Sequence, residues 1–244
     1  MKFTIHRFSS CPSTNDVARQ LVLRGAAEGT VVRADEQTAG RGTKNRSWFS
    51  PRSKGLYVSL VLRPSGGTIS LMPLAAGIAA SEALRNEARL EVRLRWPNDI
   101  VWQGKKLGGI LCESAFLGNS PDYVILGFGL NVNHLQEDFP EELRSAAVSL
   151  RMIQGREGDP DLLLRSLLNR TASWSARVAR GEKETILESF AERSVFRRGD
   201  PLRISSKGAV VEGEYQGLDE TGALVLKIPS GVRRFTDAEI EGLV

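Results

Sequence analysis

The sequence predicts an α+β fold, a mixed sheet with flanking helices over residues 1–196, followed by a small all-β barrel over residues 197–244. Three observations lead there. Strand-like runs between residues 29 and 132 follow one another through turns and loops and favour antiparallel pairing. Two helical patterns lie early in the chain, and two more start near residues 159 and 182. Past Arg197-Arg198-Gly199-Asp200-Pro201 only short alternating strands remain.

Phe3, Ile5 and Phe8 suggest a first strand, broken at Pro12. Ser13-Thr14-Asn15-Asp16 offers cap side chains for a helix running through Ala18, Leu21 and Val22 to a stop at Gly25. Those side chains either cap the helix or leave its free N–H groups as an anion site. Strands at 29–35 and 56–63 enclose a long loop, and Ser70 opens a helix to about Arg89 with Pro73 in its first turn. Arg93–Trp102 reads as strand, Pro-Asn-Asp turn, strand, and Gln103-Gly104-Lys105 as a hairpin tip. Lys106–Glu113 returns as a third strand whose paired Gly108 and Gly109 imply close packing against its backbone. Tyr123–Val132 is a further strand, carrying Gly127 and Gly129 and ending on Asn131 and Asn133. Asp159-Pro160 starts a helix that buries Leu163, Leu164, Leu167, Leu168, Trp174 and Val178. Another, from Glu182 to Arg193, buries Ile186, Leu187 and Phe190. The barrel strands are Leu202–Ser205, Val210–Gln216, Leu224–Ile228 and Val232–Phe235, joined by turns at Lys207-Gly208, 219–222 and 229–231.

Composition narrows the function. A hydrophobic share of 41% with 25% charged residues suits a soluble globular protein that buries a core. The net charge of +4 would help meet a nucleotide or an acidic partner, but without a basic stripe or helix-turn-helix it gives no case for nucleic-acid binding. Cys11 and Cys112 suggest no disulfide framework, so a reducing cytoplasm is expected. The longest apolar stretch, Leu71–Leu84, is interrupted by Pro73 and Ser81 and too short for a bilayer, so no membrane role is expected.

The loop Ala34–Pro51 carries the chemistry. Gly40 and Gly42 permit positive φ, which would turn successive N–H groups inward as an anion nest. Arg41, Lys44 and Arg46 add positive charge. It is no Walker A loop, and Asn45 occupies the third glycine position of a dinucleotide fingerprint. A flexible basic hairpin would have the same composition, so two readings stand at this point.

Five ordered motifs resemble biotin–protein ligases: Ser13-Thr14-Asn15; the Gln-Thr-Ala-Gly-Arg-Gly loop from Gln37 with Arg46 and Trp48; Trp96-Pro97-Asn98-Asp99; Lys106-Leu107-Gly108-Gly109-Ile110-Leu111; and Gly127-Phe128-Gly129-Leu130-Asn131 with Asn133. The resemblance spans essentially the whole chain. It implies a catalytic fold related to class II aminoacyl-tRNA synthetases, a C-terminal SH3-like barrel, and the enzyme-only class without an N-terminal DNA-binding domain. The implied reaction joins biotin to ATP as biotinyl-5′-AMP, releasing pyrophosphate. A lysine of a biotin carboxyl carrier domain then displaces AMP. Mg²⁺ would be held mainly by the ATP phosphates, with no protein metal site.

By the same resemblance, Ser13, Thr14, Asn15 and Gln37 contact biotin or its adenylate. Arg41 and the backbone of Gly40, Gly42 and Thr43 hold carboxylate and phosphate, and Arg46, Trp48, Gly109 and Asn131 complete the binding site. Lys106 is the leading candidate for the essential cation, because the first step brings two anions together; its alternative is a solvent lysine at a hairpin. Asp99 either closes its turn or takes a proton from the acceptor lysine, whose amine ordinarily titrates near about 10.4. Trp48 and Trp96 either line the pocket or fill core. Cys112 would carry an acyl group only in a transferase. Lipoate and octanoate ligases share the fold and remain rivals, as does a non-catalytic biotin or nucleotide sensor; a homodimer through the sheets stays open. Where the family often has Gly-Arg-Gly-Arg-x-Gly-Arg, Thr43 and Asn45 replace an arginine and a glycine. Either the intermediate is held less tightly, or Lys44 or Arg46 substitutes.

Overall fold

The computed structural model describes residues 1–64, 68–118, 120–206 and 208–243, without the side chains of Asn45, Ser120 and Leu243. Strands β1 (Thr4–Phe8), β2 (Thr30–Ala34), β3 (Gly55–Leu62), β4 (Arg93–Arg95), β5 (Asp99–Trp102), β6 (Lys105–Leu117) and β7 (Ser120–Asn131) make one sheet in the order β1-β2-β3-β7-β6-β5-β4. β1 and β2 are parallel and the other pairs antiparallel, so the sheet is mixed as expected. Parallel neighbours need a crossover, and helix α1 (Thr14–Leu23) supplies it.

Period-two alternation gives the sheet two different faces. Val58, Leu60, Val124, Leu126, Phe128 and Leu130 join the main buried cluster with helices α2 (Met72–Ala88), α4 (Pro160–Ala179) and α5 (Lys183–Arg193). On the opposite face Val61, Tyr123 and Ile125 pack under Ala18 and Val22 of α1. Farther along the same strands that face carries Ser59, Gly127 and Gly129, beside the α1 N-terminus. Here the helix hands over from packing to function. A short helix α3 (Leu150–Gln154), capped by Ser149, was not foreseen.

Two readings need correction. Ser70 does not open α2: a 3₁₀ turn at Ile69–Leu71 leads into it at Met72, and the Ser70 hydroxyl donates to Thr221 O at 2.7 Å. The all-β part has a fifth strand. β8 (Pro201–Ser206), β9 (Ala209–Leu218), β10 (Leu224–Ile228), β11 (Gly231–Phe235) and β12 (Glu239–Leu243) order as β11-β10-β9-β8-β12. A charged, glycine-bearing run pairing at the sheet edge has little apolar alternation to announce it. The expected turn at Lys207 involves a residue outside the described ones. This sheet shares the main core: Leu202, Ile204, Leu224 and Leu226 cluster with Leu71 and Leu74. Trp96 belongs to that seam, nearly fully buried, its Nε1 donating to Gly222 O at 2.9 Å, so it is core and not pocket.

Candidate active site

Ser13 has the extended backbone of a cap (φ −153°, ψ 135°), yet its side chain makes no capping hydrogen bond. It is buried, as are Thr14 and Asn15. Their polar groups face a network on the sheet. The Thr14 N–H and hydroxyl donate to Gln37 Oε1 at 2.8 and 3.1 Å, and Gln37 Nε2 donates to Ser50 Oγ at 2.9 Å. Ser59 Oγ lies 2.7 Å from Thr14 Oγ1 and 2.6 Å from Asn15 Oδ1. Asn15 Nδ2 donates to Glu113 Oε2 at 2.7 Å. Gly127 makes room: a Cβ there would sit 2.3 Å from Asn15 Oδ1. Gly129 does the same for Trp48, with a Cβ 2.4 Å from the indole Nε1.

The loop folds as a tight hairpin. Gly42 N–H donates to Arg46 O at 2.7 Å, Trp48 N–H to Gly40 O at 2.8 Å, and Thr43–Asn45 form a 3₁₀ turn. This corrects the anion nest. Gly42 is extended (φ −108°, ψ −172°), Gly40 is not among the positive-φ residues, and the left-handed residue is Lys44. The N–H groups of Gly42, Arg46 and Trp48 are spent within the loop. Gly40 is required for close approach instead, since its Cβ would lie 2.5 Å from Trp48 O. Arg41 is gripped by Asp16 at 2.6 Å and Glu113 at 3.3 Å. Lys44 and Arg46 reach the other sheet, to Asp237 at 3.5 Å and Glu239 at 2.6 Å.

Lys106 Nζ pairs with Asp99 Oδ1 at 2.6 Å and lies 5.4 Å from the Trp48 ring centroid. The β5–β6 hairpin sets this pair, placing Asp99 opposite Gly109. Lys106 is no free surface lysine. Its backbone also bridges the segment after β7, the N–H donating to Ala146 O at 2.7 Å and the carbonyl accepting from Val148 N–H at 3.0 Å. Asn131 ties the same segment down, Nδ2 donating to Val148 O at 3.1 Å. These elements enclose a cavity of about 260 Å³, of small-ligand size.

The profile of the biotin/lipoate A/B protein ligase family matches residues 8–131, more than half of the chain. The chain belongs to this family. The biotin protein ligase C-terminal domain matches residues 200–241, which build the second sheet. The sequence is 32% identical to a biotin–[acetyl-CoA-carboxylase] ligase of Paracoccus denitrificans, over 93% of this chain and 96% of that one. It is 33% identical to the bifunctional ligase/repressor BirA of Bacillus spizizenii, over 94% of this chain and 71% of that one. The fold matches a biotin protein ligase from Aquifex aeolicus, in complex with biotin and ATP, with TM-score 0.83 and 28% identity, covering 100% of this chain and 99% of that one. The protein is a ligase with the biotin protein ligase fold.

In this ligase one cavity is lined by Ser13, Thr14, Asn15, Gln37, Arg41, Gly42, Thr43, Arg46, Trp48, Lys106, Gly109 and Asn131. Gly40 and Asp99 do not line it: Gly40 supports Trp48, and Asp99 holds Lys106 from behind. Sequence reasoning missed Glu113, although counting by twos from Gly109 puts Leu111 and Glu113 on the cavity face. It also missed the wall formed by Phe49, Phe139 and Ala146-Ala147, which only tertiary packing assembles. Behind Phe139 stacks His134, centroids 4.7 Å apart and planes within 10°. Cys112 packs toward the helices, and burial, then the Glu113 charge, pushes its thiol up to about 12. No thiolate is offered there for acyl transfer.

Proposed function

We propose that this ligase joins biotin to a lysine of the biotin carboxyl carrier domain of a carboxylase, through biotinyl-5′-AMP. One observation carries the reading: a single cavity holds a row of neutral donors and acceptors (Thr14, Asn15, Gln37) together with two anchored cations, Arg41 and Lys106. Biotin's ring is neutral and rich in hydrogen-bonding groups, and its carboxylate must meet an anionic α-phosphate. Fixed cations are worth most where that charge builds. Arg41 Nε and Trp48 Nε1 are buried without a partner among the described residues, and a bound oxygen acceptor would relieve that cost of about 1–3 kcal/mol each. Asp99 keeps the Lys106 ammonium aimed while the reactants approach. Among the described residues no three His, Cys, Asp or Glu side chains gather as a metal cage. Asp16, Asp99 and Glu113 each already face a cation, which suits Mg²⁺ carried on the ATP phosphates.

Calorimetry with biotin and then ATP, followed by pyrophosphate release, tests this. Biotin should bind alone, and release should need both ligands. Release driven by lipoate or octanoate but not by biotin would transfer the assignment to the rival ligases.

Lys44 pairs with Asp237, and Arg46, which also lines the cavity, has its guanidinium paired with Glu239, so Thr43 adds no charge of its own there. Thr43→Arg should therefore slow biotinyl-AMP dissociation about tenfold or more, as expected of one charge-assisted hydrogen bond of roughly 1.5–3 kcal/mol. Equal dissociation rates for the two proteins would refute this. Gly129→Ala should displace the indole of Trp48 and weaken biotin binding about tenfold or more while the fold persists, because the added methyl meets a side chain and not the backbone. Calorimetry beside a melting curve reads both.

A further inference from the structure

Asn15 can show the cavity either end of its amide, and the identity of its neighbours decides which. A carboxylate only accepts, so the amide nitrogen must face Glu113, 2.7 Å away. The Oδ1 end is left to the Ser59 hydroxyl at 2.6 Å. The amide is clamped from both sides, and the second hydrogen on Nδ2 remains to be offered. Glu113 also accepts from Arg19 Nη2 at 2.8 Å and lies 3.3 Å from Arg41 Nη2, so one carboxylate ties the neutral floor of the cavity to its cation. Asp16, Glu113, Arg19 and Arg41 together carry no net charge, so the clamp adds no repulsion toward an incoming carboxylate. The β6 register opposite Ile125 fixes Glu113 on this face.

We propose that Glu113 is a positioning residue of the substrate site, selecting the Asn15 amide orientation so that it meets biotin preorganised. This rests on the biotin reading above. A glutamine there would keep the size but change the pattern. Its NH₂ turned toward Asn15 opposes donor to donor, and its NH₂ turned away faces two guanidinium groups. In either arrangement Asn15 or Arg41 must move.

The test is a double-mutant cycle on biotin affinity, measured by calorimetry on the full chain. Glu113→Gln should raise the Kd for biotin about tenfold when Asn15 is present, and less than threefold in an Asn15→Ala background. Should the glutamine variant not fold, Glu113→Asp keeps the charge on a shorter stem and should give the same pattern. A loss of equal size in both backgrounds, or no loss, overturns the inference while biotin binding by the wild type stands. A wild-type protein that binds no biotin removes the parent reading and this one together.

Discussion

Lys106→Gln should lower the rate of biotinyl-AMP formation by about 10²–10³, the usual effect of removing one preorganised donor from a site of developing charge. Glutamine preserves most of the side chain's length but takes away the positive charge. The loss is double, because Asp99, 2.6 Å from the ammonium, becomes an uncompensated carboxylate beside two anionic reactants. Lys106→Gln with Asp99→Asn should therefore recover part of the deficit, which a role in folding alone would not produce. The backbone bridges from Lys106 to Ala146 and Val148 do not use the side chain, so the fold should survive. Pyrophosphate release with biotin and ATP is the readout, and wild-type speed in the single variant would end the assignment.

Acidification should destabilise the protein through His134. Its ring is fully buried, and neither nitrogen has a partner among the described residues. Burial drives its pKa down to about 4; Asp138 opposes this and Lys54 adds to it. The unfolded chain takes up a proton near its ordinary value of about 6.5, and the folded chain does not until about 4. Stability is therefore unaffected above that upper value, falls as pH drops between the two, and has lost on the order of 3 kcal/mol below the lower one. His134→Phe keeps the stack on Phe139 and should flatten this window. Urea midpoints across pH 4–7 decide it; an unchanged slope in the variant would remove His134 as the cause.

Local chemistry was readable wherever one residue type solves a local problem. Asp159 before Pro160 caps its helix as expected, accepting from Asp161 and Leu162 N–H groups. Gln103-Gly104 make the hairpin turn with φ of 47° and 80°. The glycines of the loop misled, because a glycine serves close approach as well as positive φ, and composition does not distinguish the two. Ser13 left two readings, a helix cap or a contact in the binding site; its side chain makes no capping bond and it lines the cavity.

Strand periodicity and the five motifs were enough to name the family and nearly all of the cavity's polar residues, because alternation and helix starts are encoded within a few neighbouring positions. Three assignments needed the folded chain: that Glu113 reaches Asn15 and Arg41, that Asp99 serves Lys106, and that Lys44 and Arg46 turn to the second sheet. Each depends on which long, charged side chain finds its partner across strands or sheets, and Coulomb attraction acts on distance in space whatever the separation in sequence.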